Sequence, residues 1–164
     1  MRHILSFALA AFGFIAASSS LFAHHSNAVF DHEHMTILTG TVIRHEFINP
    51  HDQVHLSVTN DNGKVTEWIV TGGPPAEMRR IGWHANMFKV GEELTVYGQA
   101  YRDGRPIMIR MRIVRANGEE VSTKGTAGFG FYQEFMEKYG KDNSRIKVVG
   151  KKKAVTTFEG GTSK

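Results

Sequence analysis

The chain contains no cysteine. That absence removes disulfides, thiolate metal centres, iron–sulfur clusters and cysteine nucleophiles, and an exported form would have to hold its fold by its core alone. Several other things are missing. There is no internal repeat. There is no G-x-S-x-G elbow, no phosphate-binding glycine loop and no H-E-x-x-H pair. After the first 23 residues no stretch is apolar enough to cross a bilayer, which takes roughly 20 residues. Strong net charge is missing too: 20 Lys and Arg face 16 Asp and Glu. The one basic run, "RIKVVGKKKAV", lies near the C-terminus.

The start of the chain is distinctive. Arg2 and His3 precede an uncharged run from Ile4 to Ala17, and "SSSLFA" follows with small residues and Ala23 at its end. This is the pattern of a cleaved secretory signal over residues 1–23, and it places the protein in the periplasm or outside the cell. The mature chain would keep 141 residues (164 minus 23), enough for one domain with one core, and would have no membrane span.

Cleavage after Ala23 makes His24 the first residue. Four histidines of the chain's nine fall in eleven positions here: His24, His25, His32 and His34. An N-terminal histidine can chelate a metal with its α-amine and its ring together. One more imidazole completes a planar three-nitrogen set, a geometry that suits Cu(II). Both nitrogens titrate low enough to be open near neutral pH, at reference values of about 8 and about 6.5. The expected metal ligands are His24, His25 and His51, with His32 and His34 as further candidates; copper is the first choice of cofactor and zinc the second. The methionines give little support to a Cu(I) site, for which only Met35 and Met108 stay open. Met111 reads as apolar-face packing, Met78, Met87 and Met136 as packing too, and Met108 and Met111 point opposite ways on one strand.

The rest reads as short strands. Met35–Asn49 is β-branched and aromatic, and "HDQVHLSVTN" alternates, with Val54, Leu56 and Val58 on one face. With Asn49-Pro50 at a hairpin tip, Glu46 pairs with Gln53 and Arg44 with His55. His51 and His55 then lie roughly 13 Å apart on a straight strand, too far to share an ion. His55 reads as a surface residue beside Glu46, and His45 as a partly buried histidine near Phe47. "DNG" (Asp61–Gly63) turns the chain into a third strand, which "GGPP" stops. A short helix follows in "PPAEMRRIGWHA", fading at Gly82, with His84 at its end. Two more strands follow. In the last, Ile107, Ile109, Met111 and Ile113 are expected on one face and Met108, Arg110 and Arg112 on the other.

The order β-β-β-α-β-β is that of an all-β, OB-like five-stranded Greek-key barrel with one short helix, over residues 24–118. Residues 119–164 read as a C-terminal extension, largely flexible, with one short helix in "FYQEFMEKYG" carrying Phe131, Phe135 and Met136. The corner of Gly72, Gly73, Arg79 and Arg80 is a second candidate site, for an anionic ligand at the helix start. Arg79 and Arg80 with Trp68 and Trp83 could also form an OB-type nucleic-acid patch, but export argues against that partner and the tryptophans read equally well as core.

The words "AHHS", "FD", "LTGTV", "NPH", "NGKVTEW", "GGPP", "RRIGW" and "VGEELTVYG", in this order, resemble a family of small exported bacterial proteins known only as a domain of unknown function. The resemblance covers about Ala23 to Gly118. It implies a periplasmic barrel of OB type and brings no assigned activity. His32 and His34 fall where the family pattern has no histidine, and the tail is longer than the pattern requires. Three functions follow, in this order. The first is a non-catalytic metal-binding protein for storage, buffering or delivery. The second is an envelope module that binds a ligand or protein at the "GGPP"–"RRIGW" corner without metal. The third is an oxidative copper enzyme.

Overall fold

The computed structural model describes residues 27–140 and 142–150. The expected signal segment, His24 and His25 lie outside them. Five strands carry the fold: β1 (Met35–Glu46), β2 (Gln53–Thr59), β3 (Val65–Thr71), β4 (Glu93–Ala100) and β5 (Ile107–Arg115). Helix α1 (Pro75–Arg80) sits between β3 and β4. The strands close a ring, β1-β2-β3-β5-β4 and back to β1. The seam is parallel, Ile69–Thr71 against Ile107–Ile109, and the other contacts of the ring are antiparallel. Element order and closure are those of the expected all-β barrel.

The first hairpin has the expected register, Glu46 opposite Gln53 and Arg44 opposite His55. Its tip carries a cis Asn49-Pro50 peptide. Farther down, Val42 faces Leu56, so Ile43 is an extra residue and β1 bulges there. The bulge explains how a 12-residue strand serves two neighbours: its first half pairs with β4 and its second half with β2. Helix α1 is shorter than expected. Pro74 caps it, Pro75 fills its first turn, and Gly82 with φ +90° follows its end. His84 lies exposed beyond it.

Strand β5 departs from simple alternation. Tyr97 faces Arg112 but Gly98 faces Arg110, so Met111 is inserted. Up to this bulge Met108 and Arg110 are the buried residues, and after it Ile113 is. The expected apolar face is therefore wrong at its start: Ile107 and Ile109 are only half-buried. Met108 and Ile113 join Leu38, Val54, Leu56, Val96 and Trp83 inside the barrel. Met111 turns outward into a second, smaller core with Met35 and Phe135.

That second core is built by the C-terminal extension. Beyond β6 (Glu120–Val121), helix α2 (Ala127–Tyr139) lays Phe131, Phe135, Met136 and Tyr139 over Met35 and Met111. Thr126 caps the helix by accepting the Phe129 amide, and buried Thr123 donates to the Met111 carbonyl. Strand β7 (Ile146–Val149) then pairs parallel with Met35–Leu38. The described part of the extension thus forms β6, α2 and β7, where a largely flexible segment was expected. Its sequence lacks a continuous period because it is cut into short pieces: β6 fully buries only Val121, α2 only Phe135 among its large side chains, and β7 none.

Candidate functional site

The hairpin end of the barrel holds a buried polar network. His45 ends β1 with its side chain 3% exposed and puts Nε2 2.7 Å from Oδ1 of Asp52, which is fully buried. Its Nδ1 faces the Ala85 carbonyl at 3.1 Å. Oδ2 of Asp52 meets Arg110 Nη2 at 2.7 Å, with Arg110 also 3% exposed. The approach is an ion contact without hydrogen-bond alignment, and neither atom has another polar partner among the described residues. The guanidinium lies 4.2 Å from the ring centre of Trp83, whose indole N–H donates to the Ser122 carbonyl. Burial pulls the Arg110 pKa below its ordinary value, against the opposite pull of Asp52 and Glu77. It still carries its charge, since arginine does not lose its proton in proteins.

The words that define the candidate corner serve this network. A Cβ at Gly72 would overlap the Arg110 guanidinium, so only glycine leaves the space. Asp52 and Gly72–Gly73 are stitched by backbone bonds: the Gly72 amide donates to the Asp52 carbonyl at 3.0 Å and the Asp52 amide to the Gly73 carbonyl at 3.1 Å. His51 donates from Nδ1 to the Gly72 carbonyl at 3.0 Å. The Glu77 carboxylate occupies the space a side chain at Gly73 would need. Arg79 lies 5.1 Å from the centre of the Phe47 ring, and Arg80 is exposed. "NPH", "GGPP" and "RRIGW" therefore meet around one buried arginine. Sequence reasoning missed both charged members, Asp52 and Arg110. Strict alternation put Arg110 on a solvent face, and the only available signal was that the family-like words cluster in space.

The histidines fall into separate settings. His34 donates from Nδ1 to Asp31 at 2.9 Å, and Lys147 Nζ on β7 reaches the same carboxylate at 3.0 Å. Partial burial pushes Asp31 up, but the His34 and Lys147 contacts outweigh it and hold the group below the usual carboxylate value. His32 donates from Nδ1 to Gln99 Oε1 at 2.8 Å. With Glu33, Arg102 and Glu134 it lines a cavity of about 170 Å³ between the N-terminal segment, β4 and α2. His45 has both ring nitrogens committed to oxygen acceptors, which removes it as a ligand. His55, expected at the surface, is 3% exposed. It bonds Glu67 at 2.7 Å, has Glu46 at 3.7 Å, and lies under Arg44. Long charged side chains cover it. Among the described residues no three His, Asp or Glu side chains converge on a point that would hold a metal. Met35 and Met108 are fully buried in different cores.

Fold and site together define a small all-β protein, a closed ring of five strands whose hairpin end is locked by a buried His–Asp–Arg network. The chain belongs to a family of unknown function, DUF6152, whose model matches residues 12–109, more than half of its length. No curated protein and no solved structure matches it. No helix among the described residues is long and apolar enough to cross a membrane.

Proposed function

We propose that this is an exported, periplasmic protein that binds a metal ion without turnover, Cu(II) before Zn(II), through the α-amine and ring of His24 at its mature N-terminus. The observation that carries the reading is the His24-His25 pair directly behind a signal-like segment, three residues ahead of an anchored turn. The 3₁₀ turn Asn27–Val29 is fastened to the barrel: the Arg102 amide donates to the Val29 carbonyl at 2.9 Å, and its Nε donates to the Phe30 carbonyl at 2.8 Å. Three residues reach at most about 10 Å, so an ion held at His24 stays beside the body of the protein.

His51, His32 and His34 each turn Nδ1 toward an oxygen acceptor. His51 and His25 are the proposed additional nitrogens. Cu(II) titrations should separate the exported chain from a version with one alanine inserted before His24. The insertion removes the paired α-amine and ring, so affinity should fall at least tenfold while the fold persists. Equal affinity in the two versions removes the α-amine from the site, and affinity no better than that of an isolated surface histidine in both ends the metal reading. Intact mass of the exported chain fixes its first residue.

A further inference from the structure

The β1–β2 hairpin ends in Phe47-Ile48-Asn49-Pro50-His51. Ile48 is 60% exposed, and Asn49 and Pro50 are exposed beside it. Phe47 is half-buried and carries Arg79 over its ring. Arg79 and Arg80 stand exposed on the last turn of α1, and neither forms an ion pair with a carboxylate among the described residues. The acids of this end are all spent elsewhere. Asp52 is buried against Arg110 and His45. Glu46 pairs with Arg44 at 2.7 Å. Glu77 is half-buried, folded back toward Gly73 and acting on Arg110.

This end thus presents one large exposed apolar side chain, Ile48, and two exposed guanidiniums without a carboxylate partner among the described residues, Arg79 over Phe47 and its neighbour in sequence Arg80. A protein partner would need a complementary surface of roughly 800 Å² and about 20–30 residues on each side, whereas the feature here is three side chains. A layer of phospholipid headgroups needs no matched surface: it accepts an apolar side chain below the phosphates and attracts each surface cation. We propose that the hairpin tip and α1 dock on an anionic phospholipid surface, with Ile48 entering the headgroup layer and Arg79 and Arg80 on lipid phosphates. The proposal is independent of the metal reading.

The cysteine-free chain allows a direct test. An environment-sensitive fluorophore is attached to Ile48→Cys in one sample and to Asp61→Cys, in the turn at the other end of β2, in a second. Both are prepared from the exported chain with identical termini, so the tail and N-terminus contribute equally. Vesicles of phosphatidylglycerol mixed with phosphatidylcholine should brighten the label at position 48 several-fold and shift it to the blue, and leave the label at 61 unchanged. Phosphatidylcholine vesicles alone should do neither. Arg79→Gln with Arg80→Gln should weaken the response by about tenfold or more in a protein with unchanged melting temperature. The proposal is overturned if the label at 48 stays dark while the protein cosediments with the vesicles, if no sedimentation occurs, or if both labels respond alike. A response to soluble polyglutamate in place of vesicles also overturns it and points to an acidic protein partner.

Discussion

Arg110 is the residue on which the hairpin end turns. It holds Asp52 by charge, stacks on Trp83, and requires glycine at position 72. A buried pair of this kind adds little over a well-packed apolar one, but removing one member strands the other charge in the interior. Arg110→Met should cost about 3–5 kcal/mol in urea unfolding. Combining it with Asp52→Asn should cost clearly less than the sum of the two single changes, because the stranded charge is gone; additivity would mean the two groups do not interact. None of this was legible in the sequence. Arg110 lies in "PIMIRMRIV", where alternation assigns it to solvent, and the inserted Met111 that follows leaves no local trace. His45 was read correctly as a partly buried residue near Phe47, since its strand position alone sets that. Its partner Asp52 follows a Pro and a His at a hairpin tip, where an acid ordinarily meets water.

Among the elements, α2 depends on one close approach. A Cβ on Gly128 would overlap the Arg110 carbonyl oxygen, which is backbone and cannot swing aside. Gly128→Ala should lift the first turn of α2 from β5 and cost about 1–3 kcal/mol. Thermal unfolding measures it, and Gly130→Ala, which meets nothing within 4 Å, is the matched control. The barrel strands were legible element by element because each is a short run rich in β-branched and apolar residues bounded by a turn or stop signal, although bulges break the alternation of β1 and β5. The hairpin register followed from placing Asn49-Pro50 at the tip. Helix α2 was visible in "FYQEFMEKYG", yet its docking surface was not, because Met111 was assigned to the barrel interior. Strand β7 was invisible. Four residues set in a basic stretch pair with a strand more than a hundred positions away, and no local pattern reports such a contact.

For the molecule as a whole, the extension covers one outer side of the closed barrel. Family similarity ends at residue 109, inside β5, but the fully buried Met35 and Met111 pack against Phe135 of α2. Ending the chain after Gly118 should expose that second core. The expected outcome is a lower melting temperature with broadened transition and binding of a hydrophobic dye at room temperature; an unchanged transition would make the extension an ornament. Strand β7 has a further consequence. It lies alongside the start of β1 and points the same way. Tension applied to the two ends of the folded chain would pull β1 backward and β7 forward, so their hydrogen bonds would slide against one another together and could not be unzipped singly. A protein tugged in this manner would resist through its last-added strand.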